Sequence, residues 1–366
     1  MPDLSDYQKS IAKIWENQWL TNYGPFYRQF QVELMQYMQV EHLTLFNNGT
    51  NALMVALQAL RINSGEVITT PFTFAATSHV LYWNNIKPVF CDIEPETFNI
   101  DPGKIENLIG PDTKAIMPVH VYGNPCDMKA IEKIAQRHGL FVIYDAAHAF
   151  GVQLNNRPLS DFGDISAYSF HATKLFSTIE GGALVSNSKS RNDRVHSLSN
   201  FGIANEETVI GPGINGKMNE MQASFGLLEL QLVENEIAKR QKIAIQYRKF
   251  LKDIPGVRTL DDIPGVKHNY AYFPILIDAE LYGTDRDNLN IILRKCNIIP
   301  RKYFYPLCSH YPCYRSLASA NPDNLAVAEK TASQVLCLPM YGALTSETVD
   351  IICQMIKSIH EIYVTF

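Results

Sequence analysis

The chain has 366 residues and a formal net charge of −5, from 32 Lys and Arg against 37 Asp and Glu, which at roughly 150 residues per domain makes about two domains with ample core. Its 46% hydrophobic, 11% aromatic and 19% charged residues exclude a disordered polyelectrolyte. The negative balance excludes the broad basic field of a nucleic-acid groove, so any polyanionic partner must be met locally.

In chain order, Glu66–Thr70, Pro88–Asp92, Ala115–Val119, Phe141–Asp145, Ile165–Ser169 and Ala183–Ser186 read as strands. Helical patterns fall between several of them, near Asn51–Leu60, Ala75–Asn84 and Met128–His138. This alternation predicts an α/β fold with a mainly parallel central sheet flanked by helices. Beyond Gly213 the pattern changes. Met221, Phe225, Leu228 and Leu232 lie at helical spacing, and one long helix is predicted to run on to Pro255-Gly256. After it, Tyr270–Ile277 reads as a strand, and Arg286–Lys295, Asn324–Gln334 and Ser346–Tyr363 as helices. The expected division is a large α/β domain over residues 1–235 and a smaller C-terminal α+β domain over residues 236–366.

Met1-Pro2-Asp3-Leu4-Ser5-Asp6 has neither the basic n-region nor the apolar h-region of a secretion signal, and no apolar run approaches the ~18 residues of a membrane span. A cytoplasmic location is expected. Seven cysteines without a C-x-x-C pair fit reduced thiols. Cys308 and Cys313 flank His310, but without a second ligand cluster local packing is the expectation, and no metal site is assigned.

Gly211-Pro-Gly-Ile-Asn-Gly216 matches G-x-G-x-x-G in letters, and Lys217 extends it toward a phosphate-binding loop. Both readings fail on context. The acidic residue at the dinucleotide offset, Glu236, falls inside a predicted helix, and position 218 is Met where magnesium binding asks for Ser or Thr. An oxidoreductase built on this loop is therefore a minor alternative, although a Gly-rich loop opening a helix can still receive an anion.

Phe141–Asp145 ends in a carboxylate at the sheet edge where α/β proteins bind ligands, and Ala-Ala-His148 follows. Ser169-Phe-His-Ala-Thr-Lys174 places a lysine after a neighbouring strand, where desolvation favours nucleophilic use. Thr50 and Asn51 open a helix whose N–H groups suit a phosphate. Phe74 follows another strand and offers a ring for stacking. A phosphate cradle, a stacking ring, a carboxylate and a lysine are what pyridoxal phosphate asks of a protein.

Gly24-Pro25, Asn48-Gly-Thr-Asn-Ala-Leu53, Thr70-Pro-Phe-Thr-Phe74, Asp145-Ala-Ala-His148, Ser169-Phe-His-Ala-Thr-Lys174, Gly181-Gly182 and Gly213-Ile-Asn215, in this order, resemble the DegT/DnrJ/EryC1/StrS sugar-nucleotide aminotransferases, a branch of the fold-type-I pyridoxal-phosphate enzymes. The resemblance covers nearly the whole chain. It implies that Lys174 carries the cofactor covalently, Asp145 meets the pyridine nitrogen, His148 meets the phenolic oxygen and Phe74 stacks on the ring. It further implies that Thr50, Asn51 and Ser169 bind the phosphate, with Asn215 reaching the cradle from the second subunit of a homodimer. Lys174 argues against the dehydratase members, which carry His there.

The stretch Phe170–Glu180 resembles the branch that aminates C4 of dTDP-4-keto-6-deoxyglucose, with L-glutamate as the implied donor. The alternatives are amination of a 3-keto or UDP-linked sugar, or a non-catalytic nucleotide-sugar-binding or regulatory protein on the same scaffold. The substrate diphosphate needs cations, and Arg28, Lys217 and Arg301 are the candidates. A role in surface polysaccharide, such as O-antigen of lipopolysaccharide, or in a glycosylated natural product is what the family suggests.

Overall fold

In the computed structural model, which describes residues 1–365, the short β-branched runs gather into one seven-stranded sheet. From edge to edge its strands are Leu43–Phe46, Gly182–Ser186, Ile165–Ser169, Phe141–Asp145, Thr113–Met117, Glu66–Thr69 and Lys87–Phe90. Gly182–Ser186 runs antiparallel to both neighbours, and the remaining pairings are parallel. The expected α/β fold with a mainly parallel sheet is what forms.

Alternation along each strand splits the core in two, because successive side chains point to opposite faces. Leu45, Ile116, Val142 and Tyr144 join one apolar cluster, whereas Phe46, Ala115, Met117 and Ile143 join the other. The first is closed by helices Pro25–Met38 and Met128–His138, through Phe30, Leu34 and Ile131. Helices Gly49–Ala59 and Lys189–Ser199 close the second, through Ala52, Ala56 and Leu198. Burial on both faces explains why these strands read as near-continuous apolar runs.

The C-terminal part builds a three-stranded antiparallel sheet from Val257–Thr259, Phe273–Ile277 and Val335–Leu338. Helices Val233–Leu251, Arg286–Lys295, Ala326–Gln334 and Ser346–Thr365 accompany it. Its Phe273, Ile275, Leu336 and Ile356 belong to the same apolar cluster as Phe30 and Leu34, so one core runs through both parts of the chain. Among the described residues no helix is long and apolar enough to cross a membrane.

Three expectations need correction. The long helix after Gly213 is two helices, Glu220–Leu230 and Val233–Leu251, broken at Gln231-Leu232. The first packs on the N-terminal helices Leu4–Asn17 and Pro25–Met38 and the second on Ser346–Thr365. A single straight rod cannot follow both sets of partners. The strand predicted from Tyr270 begins at Phe273, because Tyr270 takes a left-handed conformation (φ 50°) and Asn269 is tied elsewhere. The helix predicted from Asn324 begins at Ala326, after a short turn over Pro322–Asn324. Leu43–Phe46 and the two helices before it lie outside the elements the sequence predicts.

The entry to Pro25–Met38 shows how distant segments interlock. Pro25 opens the helix, and Glu220, which is buried, accepts from the N–H groups of Phe26 and Tyr27 at 2.8 Å each. A carboxylate suits the positive end of a helix. A Cβ on Gly24 would lie 2.5 Å from Glu220 Cδ, so only glycine admits this cap. Glu220→Ala strands the buried Tyr27 N–H and the half-buried Phe26 N–H and is expected to destabilise the fold by about 1–3 kcal/mol, read as a lower urea midpoint with an unchanged m-value.

Candidate active site

The loops that leave the carboxyl ends of the parallel strands converge on one cavity of about 330 Å³. Thr50, Phe74, Asp145, His148, Ser169, Lys174 and Arg301 all line it. The strand ends bring these groups together from positions up to 251 residues apart, which is why the order of weak motifs was informative.

Helix Gly49–Ala59 aims its head at the cavity. Its N-cap is Asn48, whose side chain accepts from the Asn51 N–H at 2.8 Å. The N–H groups of Gly49 and Thr50 ahead of it remain as donors at the positive end of the helix. A Cβ on Gly49 would sit 2.9 Å from Ser169 Cβ, and one on Gly182 would sit 2.8 Å from the Gly49 nitrogen. Glycine at these positions thus lets the helix head, the Ser169 hydroxyl and the sheet edge close into a cradle of anion size. Asn51 is the exception among the expected phosphate ligands on this helix, since its side-chain amide donates to Asn47 Oδ1 at 2.9 Å and it does not line the cavity.

Asp145 is 4% exposed. One carboxylate oxygen accepts from Thr77 Oγ1 at 2.7 Å and the other from the Ala147 N–H at 3.1 Å. Burial raises its pKa, and the two hydrogen bonds and the charge of Lys174 oppose the rise. Thr77 in turn shares a 2.8 Å hydrogen bond with Thr73, so the carboxylate has a fixed orientation.

Lys174 is desolvated, which lowers its pKa to about 8, with the nearby Asp145 charge working the other way. Its ammonium donates to Tyr272 Oη at 3.4 Å. His148 is held well below its usual range by burial and then by Lys174. Its Nδ1 accepts from the Tyr122 N–H at 3.2 Å, so the ring is neutral and carries its proton on Nε2. Phe74 stands at the N-cap of helix Ala75–Trp83 and is 57% exposed at the cavity wall, which leaves its ring to stack on a flat ligand.

Arg301 reaches the cavity from the C-terminal part, anchored by reciprocal backbone hydrogen bonds with Cys337 of 2.9 and 2.8 Å. Arg28 and Lys217 do not line this cavity. Arg28 stacks over Trp19, and Lys217 donates to Asn200 Oδ1 at 2.6 Å and Asn215 Oδ1 at 3.1 Å beside the Phe201 ring. Asn215 also lies outside it, joined through its backbone to Asn200 and to the Asn47 side chain. His310 of the Cys308–Cys313 stretch bonds Glu329 at 2.7 Å, and Cys308 donates to the Thr73 carbonyl at 3.4 Å, which ties that segment into local packing.

Sequence reasoning missed Thr77, Tyr272, Tyr303 and Phe304. Thr77 read as one more helical residue and Tyr272 as strand. Only Tyr303-Phe304, next to Arg301 in an aromatic run, carried a usable signal.

The arrangement fits pyridoxal phosphate. The glycine-walled cradle suits a dianionic phosphate, and a buried, doubly hydrogen-bonded carboxylate calls for a cationic partner such as a pyridinium N–H. An amine with a pKa near 8 is a nucleophile toward an aldehyde, and the neutral His148 is a donor. Fold and site together define a pyridoxal-phosphate-dependent transferase.

Comparison with known proteins narrows the class. Residues 3–357 match the DegT/DnrJ/EryC1/StrS aminotransferase family. The chain is 48% identical to the dTDP-4-amino-4,6-dideoxy-D-glucose transaminase of Escherichia coli, over 95% of this chain and 94% of that protein. It is 45% identical to the enzyme of the same description from Shigella dysenteriae, over 98% and 97%. Among solved structures, DesI in the presence of its TDP-sugar product superposes with a TM-score of 0.94 at 32% identity, covering 98% of this chain and 91% of that one. The chain belongs to the DegT/DnrJ/EryC1/StrS aminotransferase family and is a pyridoxal-phosphate-dependent sugar aminotransferase.

Two measurements follow. In the full-length protein stripped of cofactor, acetylation of Lys174 followed by peptide mass spectrometry is expected to rise with a midpoint near pH 8, because the amine reacts only when neutral. A midpoint above pH 10 would remove the desolvation argument. Gly49→Val fills the cradle against Ser169, so the cofactor Kd in a titration at its visible band is expected to rise about 10-fold or more without loss of far-UV ellipticity.

Proposed function

We propose that this enzyme transfers the amino group of L-glutamate to C4 of dTDP-4-keto-6-deoxy-D-glucose, giving dTDP-4-amino-4,6-dideoxy-D-glucose. The observation that carries the reading is the meeting of Lys174, Asp145 and His148 in one cavity beside the head of helix Gly49–Ala59. The names of the two transaminases at 48% and 45% identity support the choice of sugar.

When bound, pyridoxal phosphate supplies an aldehyde for nitrogen and an electron sink for the carbon that loses its proton. Gly49, Thr50 and Ser169 hold the phosphate in this reading. Asp145 would face the pyridine nitrogen and keep it protonated, His148 would donate from Nε2 to the phenolic oxygen, and Phe74 would cover one ring face. Lys174 would hold the aldehyde, and its amine, when free, would take the donor's α-proton. At a pKa near 8 a useful fraction of that amine is neutral at physiological pH. In the second half-reaction Lys174 delivers a proton to the sugar carbon that has received nitrogen, and its position sets the face of delivery.

Arg301 is the cation best placed in this chain for the diphosphate. We read the enzyme as a homodimer in which Asn215 of one subunit meets the phosphate of the other. Residues 1–235 form the cofactor-binding domain and residues 236–366 the smaller domain that brings Arg301, and a cytoplasmic location goes with both substrates.

The visible spectrum tests the reading. The yellow band of the purified enzyme is expected to shift on adding L-glutamate and return on adding dTDP-4-keto-6-deoxyglucose. A band that glutamate shifts but the dTDP-sugar does not restore, while a UDP-linked or 3-keto sugar does, would move the assignment to that substrate. Lys174→Ala is expected to lose turnover by at least 10³-fold and to lose the resting band while keeping its fold. Arg301→Ala is expected to raise the KM for the nucleotide sugar and flatten its salt dependence, with the KM for glutamate unchanged.

A further inference from the structure

Tyr272 stands in the cavity without a role in the scheme above. It comes from the C-terminal part, in the stretch just before strand Phe273–Ile277, and its ring packs 4.7 Å from that of His148, 5.7 Å from Tyr122 and 5.9 Å from Tyr303. Its hydroxyl is the acceptor that the Lys174 ammonium finds, at 3.4 Å. We propose that Tyr272 is a positioning residue, whose phenol oxygen accepts from Lys174 Nζ and holds the amine at the reaction centre in the interval when Lys174 is not bonded to the cofactor. The inference rests on the reading of Lys174 given above.

Its surroundings are built to hold it still. Asn269, fully buried, donates through Nδ2 to the carbonyls of His148 and Phe150 at 2.8 and 2.9 Å, and its Oδ1 accepts from the Ala271 N–H at 3.1 Å. Arg240, itself paired with Glu236 at 2.7 Å, donates to the Ala271 carbonyl at 3.3 Å. Asn269 is thereby stapled to the loop that carries His148, and Ala271 to helix Val233–Leu251. An ordinary strand entry needs neither bond. These ties also account for the late start of the strand, since Asn269 and Ala271 are bonded away from the sheet and Tyr272 lines the cavity.

A long lysine side chain has much rotamer freedom to lose, and a released amine that wanders by about 1 Å costs proton transfer heavily. A phenol whose pKa is pushed up by burial stays neutral across the working range. It can therefore accept from the amine without ionising and without drawing it into an ion pair. The other titratable groups lining the cavity around Lys174 are Asp145 and His148 after strand Phe141–Asp145, Tyr168 in strand Ile165–Ser169, His171 and Glu180 on its own segment, and Arg301 and Tyr303 from the C-terminal part.

Tyr272→Phe tests the hydroxyl while keeping the ring and its packing on His148. In the cofactor-stripped full-length protein, loss of an acceptor for the charged amine is expected to lower the midpoint of Lys174 acetylation by about half a pH unit or more. In the loaded enzyme kcat is expected to fall about 10-fold or more, with the KM for glutamate unchanged. An acetylation midpoint equal to that of the unsubstituted protein overturns the proposal whatever kcat does, and leaves Tyr272 as a packing residue. The reading of Lys174 fails separately: Lys174→Ala would then keep the visible band.

Discussion

A carboxylate buried at the end of strand Phe141–Asp145 is the constraint around which the rest is arranged. Removing Asp145 from water is costly unless it is hydrogen-bonded and paired. Thr77 and Ala147 occupy its oxygens and Lys174 supplies the field of a nearby cation. The same desolvation that threatens Asp145 lowers Lys174 to about 8. One cavity therefore provides both halves of the chemistry, a carboxylate in want of a cation and an amine ready to react.

That cavity depends on close approach. Parallel strands end together, so the loops after them are neighbours regardless of their separation in sequence. Glycines at 49 and 182 let a helix head and a strand lie within van der Waals distance of Ser169, a space that any Cβ would fill. On the opposite wall, Tyr272, Arg301 and Phe304 arrive from the C-terminal part. The site is thus a junction. In the proposed reading its sheet side binds and activates, and its C-terminal side orients and selects.

The elements most legible in the sequence were those whose local signals agree. Phe141–Asp145, Ile165–Ser169 and Met128–His138 have the expected bounds, because apolar runs, Asp127 as N-cap and Gly139 as C-cap all point the same way. The helix after Gly213 misled because its apolar spacing continues across Gln231-Leu232, and the break depends on two sets of packing partners rather than on a local breaker. Asn51 misled for a similar reason: its position at a helix start is right for phosphate, yet Asn47 takes its amide.

By itself the sequence determined the class of sheet, the family and the chemical groups that fall at strand ends, since periodicity, capping residues and short motifs are local properties. Tertiary structure alone decided that Lys174, Asp145 and His148 share one desolvated space, that Arg301 joins them while Arg28 and Lys217 lie apart in this chain, and that Tyr272 faces Lys174. Burial, and every pKa shift that follows from it, depends on what the rest of the chain places around a residue, and no local pattern carries that information.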